Sequence, residues 1–265
     1  MTETTTSLGL AIVTGGAGDI GQAVARRLAA THAGVVVVDR DQAGAAAAAA
    51  GIGPRARGAA CDVTDPAALA ALAAGLEGPV STLVNNAGAA MAASLGATTP
   101  TSWGADRALN LDAAWFCFEA FRPALIAARG SVVNVASING LGVFGHPAYS
   151  AAKAGMIHLT RLIAVEYGRR GIRANAVAPG TVATRAWESR RAANPWVMQE
   201  AAAHYPLGRV AYPDDIAAAV AFLAGPDAAA ITGVCLPVDC GLTAGTPALA
   251  RTFSQSPDYE SEAPA

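Results

Sequence analysis

Tyr149 and Lys153 are the residues whose types and spacing most directly suggest chemistry. They stand four positions apart in a segment that favours a helix opening near Pro147, so their side chains lie on the same helix face. A phenol, with an unperturbed pKa of about 10, needs roughly 4 kcal/mol of stabilisation to ionise near pH 7. An ammonium about 4 Å away supplies an interaction of that size at an effective dielectric constant near 20. The pair therefore predicts a general base that works near neutral pH, with the hydroxyl of Ser137 holding the substrate oxygen.

The composition describes an ordered, nearly neutral protein. Hydrophobic residues make up 53% of the 265 residues and charged residues 14%, which is typical of a compact enzyme and not of a disordered chain. A net charge of −2 would attract neither nucleic acid nor an anionic membrane. The polar N-terminus lacks a signal-peptide pattern and no apolar run approaches the ~18 residues that span a bilayer, so we expect a cytoplasmic protein. The four cysteines and four histidines are dispersed, and their spacing predicts no metal site.

A glycine-rich turn near the N-terminus supports the catalytic interpretation, which a Tyr and a Lys at this spacing cannot carry alone because such pairs also occur by chance. Residues 8–14 form a short apolar run without alternation, typical of a strand buried on both faces of a parallel sheet. A glycine turn at 15–21 and a helical pattern follow it. Small residues let the backbone approach a pyrophosphate, whose charge the helix N-terminus receives, so this order predicts a dinucleotide site. The cofactor residues assigned to the turn are Gly15, Asp19, Ile20 and Gly21.

The second buried strand, residues 34–39, ends in a carboxylate about 20 residues after the glycine turn, where an adenosine ribose would lie. Asp39 there would accept hydrogen bonds from the ribose hydroxyls and repel a 2′-phosphate, which favours NAD. Arg40 supports the alternative, because an arginine can pair with the 2′-phosphate of NADP. Since no basic residue of the glycine turn assists Arg40, we weigh Asp39 more heavily. Capping of the helix that follows is a role compatible with both.

Later strands end in small or polar residues that belong to the same carboxyl edge of the sheet. A strand at 57–61 precedes a pair that would flank the adenine ring, and a strand at 81–85 precedes an Asn-Ala-Gly run. The cofactor residues assigned to these two strand ends are Asp62, Val63, Asn86, Ala87 and Gly88. A long helix at 101–129 carries Asn110 amid an apolar face that includes Trp103, Trp115 and Phe121. Such an amide is more often a satisfied core residue, yet here it could also hold a water or a backbone carbonyl near the site.

An irregular, aromatic-rich segment at about 185–206 follows the sixth strand, residues 172–178. Its position beside the cofactor suits a lid over an apolar ligand, with packing or a subunit contact as the alternative. The residues assigned to the substrate are Val143, His146, Trp187 and Trp196. They predict an apolar or alicyclic substrate, and His146 either contacts a polar substituent or lies in solvent. Residues 246–265 have no core of their own and form a tail that is frayed or draped over a neighbouring subunit.

Taken in order, these motifs resemble the short-chain dehydrogenase/reductase family from Leu8 to about Gly245. The matching residues are Thr14-Gly15 with Gly21, Asp62, Asn85-Asn86-Ala87-Gly88, Asn110, Ser137, Tyr149 with Lys153, and Pro179-Gly180 with Thr184. Each match alone is weak, but seven in the right order make coincidence implausible. The resemblance implies a single α/β domain over residues 1–245, with a Rossmann-like, doubly wound parallel sheet of about seven strands and helices on both faces.

The resemblance also implies a nicotinamide cofactor and a role for each member of a catalytic set. Tyr149 would exchange the hydroxyl proton and Ser137 would orient the substrate oxygen. Lys153 would bind the nicotinamide ribose and lower the pKa of Tyr149, and Asn110 would anchor a proton-relay water. The residues that would face the nicotinamide carboxamide are Pro179, Gly180, Val182 and Thr184. Family members are usually tetrameric, so the resemblance implies a homotetramer or a homodimer with the helices around Asn110 and Tyr149 in the subunit contacts.

Two positions depart from the family pattern. Asp19 stands where the middle glycine of the turn is usual, and a carboxylate there is electrostatically unfavourable beside a pyrophosphate. We expect its side chain to turn away and cap the first helix, with Gly18 supplying the flexibility. Cys240 replaces a usual glycine after Val238, which leaves the conformation of that turn open.

The leading hypothesis is an NAD-dependent oxidoreductase that interconverts a secondary alcohol and a ketone on a small apolar or alicyclic molecule. An NADP(H)-dependent carbonyl reductase that uses Arg40 is the alternative within the enzyme class. A non-catalytic dinucleotide-binding protein is the alternative of another class, and it would be expected to lose the tyrosine or the lysine, which this chain retains.

Overall fold

The computed structural model describes residues 8–259, and its centre is one parallel sheet of seven strands. The order across the sheet is β3-β2-β1-β4-β5-β6-β7, and every pair of neighbours is parallel. The strands are β1 (Leu8–Thr14), β2 (His32–Asp39), β3 (Ala56–Ala60), β4 (Val80–Asn85), β5 (Ser131–Val135), β6 (Arg173–Pro179) and β7 (Cys235–Val238). The predicted α/β fold with seven parallel strands is confirmed.

The helices form a layer on each face of this sheet. They are α1 (Asp19–Leu28), α2 (Gln42–Ile52), α3 (Pro66–Ala74), α4 (Pro100–Arg107), α5 (Ala113–Ala128), α6 (Pro147–Tyr167), α7 (Glu188–Ala193), α8 (Val197–Ala202), α9 (Pro213–Ala224) and α10 (Pro247–Ser254). Successive strand residues point to opposite faces. Val13 therefore packs with Val24 of α1 and Val220 of α9, whereas Ile12 packs with Phe121 and Leu125 of α5 on the other side.

Strand order reverses at β1, and this places the carboxyl ends of β1 and β4 side by side. Val13 is in register with Val37 of β2 on one side and with Val84 of β4 on the other. From β1 the chain moves outward first through β2 and β3, and then in the opposite direction through β4 to β7. A crevice forms at such a switch point, outside the carboxyl ends of the strands, and it is where open α/β sheets bind ligands.

The predicted long helix at 101–129 exists, but a π-helical turn at Ala108–Asp112 divides it into α4 and α5. This turn leaves Asn110 fully buried. The expectation of a single apolar face was wrong, because Trp103 and Trp115 are 41% and 48% exposed while Phe121 is buried. The extra residue of the π turn shifts the periodicity that a uniform helix would have kept.

Two further segments differ from their prediction. Residues 185–206 are helical and not irregular, since they contain a 3₁₀ turn at Arg185–Trp187 followed by α7 and α8. Residues 246–259, predicted as a tail that is frayed or draped over a neighbouring subunit, form α10 and a 3₁₀ turn, with Pro247 at the start of the helix. Residues 260–265, the rest of the predicted tail, lie outside the described residues. No helix within residues 8–259 has the length and apolar character needed to cross a bilayer.

His32 is buried at the start of β2 in a hydrogen-bond network that a neutral ring satisfies. Its Nδ1 lies 3.0 Å from the carbonyl oxygen of Leu28, which can only accept, so Nδ1 carries the proton. Its Nε2 then accepts from the hydroxyl of Thr82 at 2.9 Å. Burial lowers the pKa of His32, against the opposing effect of the bond to Leu28. Protonation of the ring would remove the Nε2 acceptor and place a charge in the core.

We predict that His32 makes the fold sensitive to mild acid. Its pKa is lower in the folded chain than in the unfolded chain, so the unfolded chain binds more protons below about pH 6.5. The free energy of unfolding should therefore be highest above that pH and fall as pH drops, by up to about 1.4 kcal/mol per unit. Urea titrations at pH 5 to 8 should show a shallower pH dependence for His32→Gln. The exposed His158→Gln is the control, and equal slopes for the two variants would contradict the assignment.

Candidate active site

The glycine turn after β1 brings the backbone close to the residues that follow β4. Gly15 has a φ of +62°, and a Cβ there would lie 2.8 Å from the Cα of Ala87. A Cβ on Gly21 would lie 2.3 Å from the carbonyl oxygen of Gly15. Neither position can carry a side chain without moving backbone, so both glycines are needed for the turn to fold this tightly.

Thr14 and Asn86 join the ends of β1 and β4. The Thr14 hydroxyl accepts hydrogen bonds from the backbone N–H groups of Asn86 and Ala87, at 3.0 and 3.1 Å. In return the Asn86 side chain donates to the carbonyl oxygens of Thr14 and Gly15. These reciprocal bonds fix the turn against the neighbouring strand end. The contribution of Thr14 to the site was not assigned from the sequence, although the residue belongs to the matching motif.

Asp39 connects the end of β2 to the glycine turn. One carboxylate oxygen accepts from the backbone N–H of Ala17 and the other from that of Asp41, both at 3.1 Å. Asp39 does not cap the helix that follows, which was its other predicted role, because the N-cap of α2 is Asp41. Arg40 lies beside Asp39 on the wall of the same cavity. The carboxylate is therefore held in place from two sides, next to Arg40, a cation that could attract a 2′-phosphate.

A cavity of about 820 Å³ lies along this edge of the sheet and gathers most of the residues predicted for the cofactor. Those that line it are Gly15, Asp19, Ile20, Gly21, Asp39, Arg40, Asp62, Val63, Asn86, Ala87, Gly88 and Thr184. Pro179, Gly180 and Val182 lie outside its lining, and Val182 is buried in a bridge with Ala211. One carboxylate oxygen of Asp62 accepts hydrogen bonds from the backbone N–H and the hydroxyl of Thr64, and these bonds lower the pKa of Asp62.

Ser137, Tyr149 and Lys153 come together where β5 ends and α6 begins. The Ser137 hydroxyl lies close enough to the phenol of Tyr149 to favour a lower pKa for that phenol, against the effect of burial. Lys153, one turn further along α6, places its Nζ 5.5 Å from the centre of the Tyr149 ring. The ammonium is buried and donates to the carbonyl oxygen of Val135 at 2.8 Å. The three side chains thus share one pocket, and the orientation expected from the Tyr/Lys spacing is present.

Burial moves the pKa values of Tyr149 and Lys153 in directions that the spacing alone did not predict. The pKa of the Lys153 ammonium falls to about 7 because burial penalises its charge. Burial raises the pKa of Tyr149, the bond from Ser137 opposes that rise, and the charge of Asp106 adds to it. The prediction that Lys153 acidifies the phenol to near neutrality is therefore wrong for this structure. It assumed a fully charged ammonium about 4 Å away and left out the desolvation of both groups.

Asn110 reaches the same pocket from the π turn. Its amide nitrogen donates to the carbonyl oxygens of Ala89 and Asp106, at 2.7 and 2.8 Å. Its side-chain oxygen is buried and has no hydrogen-bond partner within residues 8–259. A Cβ on Gly88 would lie 2.7 Å from this oxygen and 3.3 Å from Nζ of Lys153. Gly88 therefore separates the dinucleotide cavity from the catalytic pocket by backbone alone.

Asp106 and Asn139 support the pocket and were missed in the sequence. Asp106 is buried, and its carboxylate accepts from the backbone N–H of Met91 at 3.1 Å, which ties α4 to the loop after β4. Ser137 donates to the Asn139 side chain at 3.2 Å, and Asn139 in turn donates to the carbonyl oxygen of Gly145. No motif marked either residue, because each acts through a contact that only the folded chain creates.

A second cavity, of about 1020 Å³, lies between the segment at 185–206 and α10. Its apolar wall includes Phe144, Tyr205, Leu242 and Pro247, and its polar wall includes Thr181, His204 and Arg251. Residues 246–259, predicted to be a tail, therefore form one side of it. Tyr149 and Ser137 lie outside the lining of both cavities, but Phe144 belongs to the loop that joins them.

All four residues predicted to contact substrate face solvent or contact a neighbouring residue, and none lines either cavity. Val143 is 98% exposed and Trp196 is 66% exposed. Trp187 packs its ring under the guanidinium of Arg190, 4.6 Å away. His146 neither faces solvent freely nor points into a cavity, because its Nδ1 bonds the carbonyl oxygen of Ala92 at 3.1 Å. Their assignment to the substrate stays a prediction.

The two departures from the family pattern have definite conformations. Asp19 does not cap α1, whose N-cap is Gly18 without a side-chain bond, so that prediction was wrong. Its carboxylate instead accepts from the backbone N–H and Nε of Arg185, at 2.6 and 2.5 Å. Cys240 adopts a φ of +51°, so the turn after β7 keeps a left-handed conformation that favours glycine.

The site fits a nicotinamide dinucleotide. Gly15 and Gly21 leave space that a side chain would fill, and the N-terminus of α1 faces this turn. Asp39 is placed to accept hydrogen bonds from a ribose, while the orphaned oxygen of Asn110 and the buried Lys153 lie behind Gly88. Within residues 8–259, no group of three or more His, Cys, Asp or Glu side chains could hold a metal ion.

Comparison with known proteins identifies the family. A family model described as enoyl-(acyl carrier protein) reductase matches residues 15–243. A Xanthobacter autotrophicus protein named inactive 2-(S)-hydroxypropyl-CoM dehydrogenase 2 is 42% identical over 83% of this chain and 100% of its own. The cis-4-hydroxycyclohexanecarboxylate dehydrogenase of Sinomonas cyclohexanicum is 41% identical over 89% of this chain and 96% of its own. The galactitol 2-dehydrogenase (L-tagatose-forming) of Cereibacter sphaeroides is 38% identical, with coverages of 88% and 94%.

Two solved structures agree with these relatives. An oxidoreductase of the short chain dehydrogenase/reductase family from Burkholderia thailandensis has a TM-score of 0.89 and 45% identity, covering 95% of this chain and 98% of its own. A protein from Beutenbergia cavernae with NADP bound at low occupancy has a TM-score of 0.83 and 34% identity, covering 91% and 98%. Since the family model spans most of its length, the chain belongs to the short-chain dehydrogenase/reductase family and is an NAD(P)-dependent oxidoreductase acting on CH–OH groups.

Proposed function

We propose that this protein is an NAD-dependent dehydrogenase that interconverts a secondary alcohol and a ketone on an apolar or alicyclic substrate. The observation that carries the proposal is the contact of Ser137 with Tyr149 above the buried Lys153, beside a cavity built for a dinucleotide. Relatives named as dehydrogenases of galactitol and of cis-4-hydroxycyclohexanecarboxylate act on secondary hydroxyl groups, which supports the reaction class.

Each catalytic side chain has a role that its contacts support. A nicotinamide dinucleotide held in this cavity would supply the hydride acceptor or donor for the carbinol carbon of the substrate. Ser137 holds the substrate oxygen, and Tyr149 takes the hydroxyl proton during oxidation or returns it during reduction. Lys153 stabilises the phenolate when it is protonated, and when it is neutral it can accept the proton that Tyr149 has taken from the substrate and pass it toward Asn110. The free oxygen of Asn110 is the acceptor that can hold a water on this route.

The cavity between the segment at 185–206 and α10 is the substrate site that we propose. Phe144, Tyr205 and Leu242 give it an apolar wall, which suits a carbon ring, and its volume of about 1020 Å³ admits a bicyclic molecule. Polar side chains of the same lining, including His204 and Arg251, can orient a polar substituent. The segment at 185–206 acts as the lid in this arrangement.

The cofactor we propose is NAD, because the carboxylate of Asp39 is fixed at the end of β2 and would repel a 2′-phosphate. Arg40 on the same wall is the feature that favours an NADP(H)-dependent reductase as the alternative. The relative named as inactive gives weight to a non-catalytic dinucleotide-binding protein. Retention of Ser137, Tyr149 and Lys153 in contact argues against that alternative.

We also propose a cytoplasmic homotetramer, or a homodimer, assembled through α5 and α6. Trp115 on α5 and Val165 on α6 are 48% and 82% exposed, and Leu162 lies beside Val165 on the same helix. Large apolar side chains exposed together on neighbouring helices are typical of a covered surface.

We predict that Tyr149→Phe lowers kcat/KM for a good secondary alcohol by a factor of about 10² to 10⁴, because the proton acceptor is lost. Since burial raises the pKa of Tyr149, kcat/KM for oxidation by the parent enzyme should rise from pH 7 to pH 10. NADH absorbance with a panel of cyclic and acyclic alcohols measures both effects. Tyr167→Phe, at the other end of α6, is the matched control. If Tyr149→Phe stays within a few-fold of the parent enzyme, the mechanism is wrong, and a panel without any turnover would favour the non-catalytic alternative.

We predict that Lys153 titrates near pH 7, since its pKa is lowered to about 7 by burial. Lys153 is the only lysine in the chain, so selective ¹³Cε-lysine labelling should give a single side-chain NMR signal. That signal should shift with a midpoint near 7 in the cofactor-free enzyme and should be absent from Lys153→Met. A midpoint at the ordinary value of about 10.4 would show that the ammonium is solvated.

We predict tighter binding of NADH than of NADPH, by at least about tenfold, with Asp39 as the cause. Asp39→Asn removes the charge and should bring the two dissociation constants close together, mainly by improving NADPH binding. Asp41→Asn makes the same charge change two residues away and, because Asp41 makes no side-chain capping bond, should preserve the preference. Cofactor fluorescence titration measures both constants. Tighter NADPH binding by the parent enzyme would instead favour the reductase that uses Arg40.

A further inference from the structure

Arg185 links the lid to the glycine turn by contacts that span 166 residues of the chain. Asp19, the first residue of α1, accepts from both the backbone N–H and the Nε of Arg185. Arg185 also donates from Nη2 to the carbonyl oxygen of Ala17 at 3.2 Å. The residue that departs from the glycine pattern is therefore the residue that holds the first turn of the lid.

These contacts lie at the wall of the dinucleotide cavity. Asp19 and Arg185 both line it, together with Ile20 and Thr184. The N-terminus of α1 next to them is where a glycine turn of this kind receives a pyrophosphate. A pyrophosphate is doubly negative, so an uncompensated Asp19 carboxylate at this place would oppose its binding. Arg185 supplies a positive charge at the same place.

The guanidinium has donors left for a second acceptor. Its contacts to Asp19 and Ala17 use Nε and Nη2, and Nη1 makes no hydrogen bond within residues 8–259. The Arg185 side chain is 61% exposed, whereas that of Asp19 is 22% exposed. Arginine presents its five donors in a rigid fork that matches phosphate oxygens, so one guanidinium can contact a carboxylate and a phosphate together.

We propose that Arg185 is a cofactor-binding residue that contacts the pyrophosphate of the bound dinucleotide, and that Asp19 is the positioning residue that holds it there. This inference rests on the proposed function for the presence of the dinucleotide. It assigns to the lid a direct contact with the cofactor, so that the cofactor and the lid over the substrate cavity stabilise one another. It also explains how a carboxylate is accommodated in the glycine turn.

The test is equilibrium binding of NADH, with ADP-ribose and adenosine as competitors. Arg185→Gln should weaken NADH and ADP-ribose binding by about tenfold or more, because a charge-assisted contact is lost, and should leave adenosine binding unchanged. It should also reduce the salt dependence of ADP-ribose binding. Arg190→Gln is the matched control, since it removes the same charge from the same segment at a side chain that packs on Trp187. Circular dichroism should show that each variant is folded.

A second pair of variants separates a phosphate contact from simple neutralisation of Asp19. In the Asp19→Asn background, Arg185→Gln should still weaken ADP-ribose binding severalfold. If it has no effect there, or if adenosine binding weakens as much as ADP-ribose binding, Arg185 is not a pyrophosphate ligand. These readouts do not depend on turnover. A protein that binds NADH through Arg185 but oxidises no alcohol would contradict the proposed function alone, and one that oxidises alcohols with unchanged binding in Arg185→Gln would contradict this inference alone.

Discussion

The burial of the Lys153 ammonium is the constraint on which the rest of the site depends. A shift in pKa from 10.5 to about 7 corresponds to roughly 5 kcal/mol of unfavourable desolvation. The fold tolerates this because α6 packs its first turns against the end of β5, where the carbonyl oxygen of Val135 accepts from Nζ. The same burial raises the pKa of Tyr149. Both pKa values are thereby moved in the direction that favours the neutral forms of the two side chains.

The chain between Lys153 and the dinucleotide cavity is the backbone of Gly88, which contributes no side chain there. Gly88 has no Cβ to fill the space next to Asn110 and Lys153. The bonds between Thr14 and Asn86 hold the strand that carries Gly88 against the glycine turn. The π turn adds one residue to the long helix, and the side-chain oxygen of Asn110 in that turn is buried without a hydrogen-bond partner among residues 8–259. A buried acceptor without a partner destabilises a fold, so a purely structural role does not explain it. A role in binding a water molecule would explain it.

The sequence was sufficient for features whose causes are local, and insufficient for those that depend on distant contacts. β1 has the predicted bounds, because an apolar run followed by a glycine turn permits few alternatives. The contact of Ser137 with Tyr149 follows from a strand end that meets the next helix. The pKa directions could not be predicted, because burial is a property of the whole fold. The orientations of Trp187 and His146 were missed for the same reason, since each side chain bonds a neighbour that spacing does not reveal.

Cys240 and Asp19, which replace usual glycines of the family, each carry an unfavourable free energy that neighbouring groups offset. The contribution that offsets it differs between the two positions. At Cys240 the cost is conformational, because a left-handed backbone with a Cβ is disfavoured by roughly 1–2 kcal/mol. The turn is retained because Asp239 binds the N–H groups of Gly241 and Thr243, so the surrounding bonds determine the conformation. At Asp19 the cost is electrostatic, and backbone bonds cannot remove a charge. A cation can, and the chain supplies the guanidinium of Arg185, whose Nε contacts the Asp19 carboxylate.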